Sequence, residues 1–145
     1  MNHRHPWRFL VLAVMGQGLA LAQVHYSLGS RSSRFETCPD TFYRQALTTG
    51  DTTYGYSPKN PVRTGGGPSG ERRYLDMLQS VSGDSVDGYL RRGSHDGIGK
   101  KGQPELVDGY ELLSAGRKVG KVIYVDMYSC DTLKAPAGLR IIPEK

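Results

Sequence analysis

Little in this chain invites a metal, a redox centre or a nucleic acid. Its 145 residues include two cysteines, four histidines and one tryptophan. The cysteines, Cys38 and Cys130, are too far apart for the close Cys-x-x-Cys spacing of a metal site. His3 and His5 fall in the first five residues, which leaves only His25 and His95 further along. No metal and no cofactor is expected. Positive charge is never concentrated, for the longest basic clusters are pairs: Arg72-Arg73, Arg91-Arg92 and Lys100-Lys101. A nucleic-acid footprint needs a patch or stripe of one sign, so no nucleic acid is expected as a partner. Internal repeats and low-complexity tracts are absent as well.

What is present begins with a leader. Met1 to Arg8 carries Arg4 and Arg8 with no acidic residue, Phe9 to Leu21 is an apolar run, and Ala20-Leu21-Ala22 supplies small residues for a signal peptidase. Basic, apolar and small in that order predicts a secretory signal over residues 1–22, cut between Ala22 and Gln23. A retained membrane anchor is the alternative. It needs roughly 20 apolar residues, and this run is shorter and interrupted by Gln17. The expected destination is the periplasm or the cell exterior, with no membrane span after cleavage. Loss of Arg4 and Arg8 lowers the net charge from +5 to +3. In an oxidising compartment an even, small cysteine count favours a disulfide, here Cys38 with Cys130.

Residues 23–36 are polar and aperiodic and read as a flexible lead-in, followed by one domain over residues 37–145. Asp40 is placed to cap a short helix before Thr49, and Asp51 to Ser57, rich in Thr and Tyr, reads as a strand. The clearest helix follows Gly65-Gly66-Gly67-Pro68, with Ser69 as N-cap and Glu71 in the first turn. Tyr74, Leu75, Leu78 and Val81 share one face, and Gly83-Asp84 closes the helix. Strands are expected at Val86–Arg92, Val107–Ser114, Val119–Ser129 and Leu139–Ile142, with a loop over Gly93–Pro104. In the strongest strand Ile123, Val125 and Met127 point to the core, while Val122, Tyr124, Asp126 and Tyr128 point away. The sum is an α+β fold: a mainly antiparallel sheet of four or five strands, one principal helix and a short N-terminal helix.

Three constellations could carry chemistry. Glycines ahead of a helix can bind an anion through backbone N–H groups, which makes Gly66, Gly67, Ser69, Arg72 and Arg73 a candidate edge for carboxylate or phosphate. The plainer explanation is a turn that hands a strand over to a helix. Ser94-His95-Asp96 sets a hydroxyl, an imidazole and a carboxylate side by side, but adjacent residues do not point at one atom. Tyr124 and Tyr128 flank Asp126, and Tyr54 accompanies Tyr56, as in a sugar-binding surface or simply as half-buried strand residues.

The blocks Tyr54–Val62, Gly65–Gly67, Glu71–Leu75, Arg92–Ser94, Asp108–Glu111 and Ile123–Tyr128, in that order, resemble a group of small exported bacterial proteins of unknown function. The resemblance spans about residues 51–139 and implies export. Some of those relatives are automatically labelled 2-dehydro-3-deoxyphosphooctonate aldolase. That enzyme is a TIM barrel needing roughly 200 residues or more, and its phosphorylated substrate is cytoplasmic, so the activity does not carry over. The expected function is a non-enzymatic envelope module that binds or braces an unknown envelope component or protein. The competing expectation is a small envelope hydrolase using Glu71, His95 or Asp126.

Overall fold

The computed structural model describes residues 34–45, 47–82 and 86–143, all within the unit Arg31–Lys145. The expected leader, the lead-in up to residue 33, and the expected helix stop at Gly83-Asp84 lie outside the described residues. In chain order the described residues form a 3₁₀ turn (Asp40–Arg44), β1 (Leu47–Thr48), β2 (Val62–Arg63), α1 (Gly67–Asp76) and β3 (Leu78–Ser80). β4 (Gly88–Ile98), β5 (Pro104–Ser114), β6 (Arg117–Asp126), β7 (Lys134–Ala135) and β8 (Leu139–Ile141) follow.

The architecture is α+β, built on two hairpins. The β5–β6 connection is Ala115-Gly116, whose φ values of 48° and 71° are both positive. That is the backbone of a tight turn matched to the twist of its strands. The β4–β5 turn closes on itself where the Gly99 N–H donates to the Gln103 carbonyl at 2.8 Å. β4, β5 and β6 are thus antiparallel neighbours, and β2 joins β6 in parallel, pairing Val62 with Val125 and Arg63 with Asp126. This corrects the mainly antiparallel reading: the four-stranded sheet is mixed. The remaining strands form two separate ladders, β1–β7 parallel and β3–β8 antiparallel. The outer edge of β4 is also secured at one end. The Ile98 N–H donates to the Pro58 carbonyl at 3.1 Å, and the Arg63 guanidinium donates to the Ile98 carbonyl at 3.1 Å.

Other elements differ from the sequence reading for local reasons. The expected N-terminal α-helix is a five-residue 3₁₀ turn with no side-chain cap bond. The expected strand at 51–57 is a string of turns. There the Asp51 carboxylate accepts from the Thr53 N–H and hydroxyl and from the Asn60 amide, which winds the segment up rather than extending it. α1 stops at Asp76 because the next residues turn into β3, where Leu78 pairs with Ile141 and Ser80 with Leu139. Val81, expected on the core face, is 64% exposed. β4 runs through the expected Gly93–Pro104 loop as far as Ile98.

The core lies between α1 and the sheet. Tyr74, Leu75 and Leu78 meet Tyr110, Leu112, Ile123 and Val125, with Val62, Leu133, Leu139 and Ile141 closing the sides. Fully burying side chains of this size stabilises by roughly 1.5–3 kcal/mol each. Two successive peptides are each held by a tyrosine: the Tyr54 hydroxyl accepts the Lys134 N–H at 3.3 Å, and the Tyr74 hydroxyl donates to the Lys134 carbonyl at 2.8 Å. Burial pushes the Tyr54 hydroxyl up to about 12. Cys38 and Cys130 form a disulfide across 92 positions of sequence, with Cα atoms 5.9 Å apart. No helix among the described residues is long and apolar enough to cross a membrane.

Candidate functional site

The glycine run sits on the disulfide. Gly65, Gly66 and Gly67 all adopt left-handed backbone, with φ from 56° to 64°. A side chain on Gly65 would press into both cystine sulfurs, and one on Gly70 would collide with the Gly65 carbonyl oxygen. The N–H groups expected to face an anion are already used. That of Gly66 donates to the Glu36 carbonyl at 2.8 Å and that of Gly67 to the Met127 carbonyl at 3.1 Å. Gly66 rather than Ser69 is the N-cap, and no side chain caps the helix. Ser69, Arg72 and Arg73 do line one open groove, together with Asp76 and Gln79. Within it the Arg73 guanidinium lies 3.9 Å over the Tyr43 ring and 3.6 Å from the Asp40 carboxylate.

Tyr124, Asp126 and Tyr128 are given three different tasks. Asp126 is fully buried. Its carboxylate accepts the Tyr128 and Ser129 N–H groups at 2.8 and 3.3 Å and the Ser129 hydroxyl at 2.6 Å, and it lies 3.7 Å from Arg63 Nε. It therefore caps the turn that ends β6. Tyr128, past that turn, stacks on Phe35 at 5.4 Å, with the Arg34 guanidinium 5.2 Å over its ring. Tyr124 meets His95 edge to face at 5.1 Å.

Of the three residues of the hydrolase reading, His95 is set apart, while the charge of Asp126 reaches Glu71. Ser94 and His95 are adjacent on β4 and so point to opposite faces of the sheet. The Ser94 hydroxyl donates to Asp108 at 2.8 Å on the helix side, where Arg91 also donates both Nε and Nη2 to Asp108 at 2.7 and 2.8 Å. His95 packs over Gly109 on the far side. Glu71 belongs to the helix side. It is buried, the Tyr110 hydroxyl donates to its Oε2 at 2.7 Å, and its Oε1 has no hydrogen-bond partner. Burial, with lesser contributions from the charges of Asp108 and Asp126, pushes the Glu71 carboxyl up to about 7; Tyr110 and Arg91 oppose the shift. No group of three or more His, Cys, Asp or Glu among the described residues is arranged to hold a metal ion.

A concavity that sequence reasoning missed lies elsewhere. β6, the β3–β8 ladder and the 51–57 turns enclose a half-open pocket of about 380 Å³. Buried Leu112, Ile123 and Leu139 form its apolar floor and half-buried Val119 its side. Thr52 adds an exposed hydroxyl, the Ser80 hydroxyl is buried against Ser82 at 2.6 Å, and Lys121 is its one charged residue among the described residues. The Tyr56 ring forms part of the rim. It is fixed by its hydroxyl, which donates to the Ala137 carbonyl at 2.7 Å, and Lys121 Nζ lies 5.3 Å from its centroid. Gly120, also in the lining, has a φ of 73°, and a side chain there would meet open space. The only local signal for this site was a glycine within an otherwise regular strand, which marks an irregularity or a close approach. No protein-family model, curated protein or solved structure matches this chain.

Proposed function

We propose that the chain is an exported binding module, periplasmic or secreted, whose ligand site is the half-open pocket beside β6. The observation that carries this reading is the pocket itself. It has an apolar wall with a few polar groups at its rim, at the small end of the roughly 300–1,000 Å³ range in which proteins hold small molecules. The Cys38–Cys130 disulfide supports export, because such bonds persist in oxidising compartments. The basic-apolar-small leader over residues 1–22 and the resemblance to small exported proteins point the same way. Two experiments test the two halves. N-terminal sequencing of the native product is expected to begin at Gln23, and a start at Met1 would remove the export half. Titration with the neutral apolar dye Nile red is expected to show one saturable site. The Thr52→Trp variant, which fills the rim from an exposed turn position, should lose it with no change in unfolding midpoint.

A small envelope hydrolase is the second reading, favoured by one observation: a carboxyl near neutrality suits acid–base chemistry, and Glu71 has one. Its carboxyl faces Tyr110 and the interior, so substrate could reach it only if α1 moved. Degradation of purified envelope polymer that disappears in Glu71→Gln would favour this reading over the first.

A further inference from the structure

We infer that the pocket beside β6 takes a small amphiphile with one anionic head, of the medium-chain carboxylate class. The inference rests on the pocket being a ligand site, as proposed above, and adds what occupies it. The floor of Leu112, Ile123 and Leu139 belongs to the core and is almost fully covered, so the accessible apolar contact comes from half-buried Val119 and the Tyr56 ring above it, and the part of the ligand that enters must be apolar. Among the described residues the rim holds a single charge, and it is positive. Lys121 is solvent-exposed and makes no ion pair among the described residues; its nearest described partner is the Tyr56 ring face. Two neighbouring cations differ in this respect, since Lys118 pairs with Glu111 at 3.0 Å and Arg92 with Glu111 at 3.3 Å. An unneutralised ammonium at the mouth of an apolar cleft selects an anion attached to an apolar body. Thr52 provides an exposed hydroxyl on the same rim. A volume of about 380 Å³ suits one short chain and excludes a two-chain phospholipid.

Decanoate and decanol, equal in chain and different in head, separate the parts of this statement. Titrations of the full chain followed by amide chemical shifts are expected to show saturable binding of both, well below the micelle-forming concentration of decanoate. Perturbations should centre on Gly120, Lys121 and Gly138. Lys121→Gln should weaken decanoate about five-fold, the scale of one exposed ion pair, and leave decanol unchanged. Thr52→Trp should lose both. Equal binding of decanoate by the parent protein and Lys121→Gln would overturn the anionic-head assignment while leaving the pocket as a ligand site. Failure of both probes to bind would overturn the pocket reading itself. Shifts confined to the groove around Arg72 and Arg73 would also overturn it.

Discussion

The Tyr110 hydroxyl donates to Glu71 at 2.7 Å beneath α1, and among the described residues this is the sole hydrogen bond of a buried carboxyl whose other oxygen has none. Burial raises Glu71 from its ordinary 4.5 to about 7, with Asp108 and Asp126 adding to the shift and Tyr110 and Arg91 opposing it. A carboxyl whose folded-state pKa is raised stabilises the fold fully below the unfolded value and loses that contribution as pH rises through the folded one. The unfolding temperature is therefore expected to fall between about pH 5 and pH 8, by the equivalent of about 3 kcal/mol at most. Glu71→Gln keeps an acceptor for Tyr110 and cannot ionise, so its melting temperature should be nearly flat over that window and exceed the parent's at pH 8. A parent profile as flat as the variant's would contradict the assignment.

Gly70 should reverse the usual ranking of helix residues. Replacing glycine by alanine inside a helix ordinarily gains up to about 1 kcal/mol. Here the new methyl would collide with the Gly65 carbonyl oxygen, whose own residue is backed by the cystine. Gly70→Ala is expected to lose about 2–3 kcal/mol in urea unfolding. Ser69→Ala next to it should stay within about 0.5 kcal/mol, since Ser69 makes no cap bond. A loss of about 1 kcal/mol at Ser69 would restore it as the cap.

Replacing both Cys38 and Cys130 by alanine should lower the urea midpoint substantially. Closing 92 positions of chain constrains the unfolded state by about 4–5 kcal/mol, an upper figure because residual denatured structure reduces it. The same loss should appear in the parent protein on adding reductant and be absent when reductant is added to the double variant. A reductant effect on both would trace the loss to something other than the cystine.

Ala115 holds a φ of 48° at the first position of a two-residue hairpin turn. That conformation suits asparagine better than alanine. Ala115→Asn, which creates Asn-Gly ahead of β6, is expected to raise stability by about 1 kcal/mol. Thermal unfolding in parallel with the parent checks it, and a lower melting temperature would count against the turn geometry.

The features legible in the sequence were those decided by local chemistry or by count. Two cysteines could pair only with each other within the chain, and they do. The glycine run and Pro68 announced the helix, although its N-cap is Gly66 and not Ser69, three residues later, and the alternation around Ile123 and Val125 placed both in the core. What stayed hidden was settled by distant partners. Gly93–Ile98 looks like a loop by composition, yet β5 supplies a ladder partner for each of its residues from Gly93 on, and a polar stretch becomes an edge strand. Asp126 alternates as a solvent-facing residue, but the turn after it draws its carboxylate inward. The pocket left no local trace beyond Gly120, because its lining is assembled from β5, β6 and β8 together with a turn that reads as a strand.

The tyrosine bonds before and after Lys134 have a consequence for digestion order. A lysine-directed protease must draw several residues of extended chain into its cleft. The bond after Lys134 belongs to a short strand with little ladder of its own, yet Tyr74 holds its carbonyl and Tyr54 holds the N–H of the peptide just before it. Trypsin should therefore nick the exposed Lys100-Lys101 turn first and leave the 134–135 bond among the last to be cut.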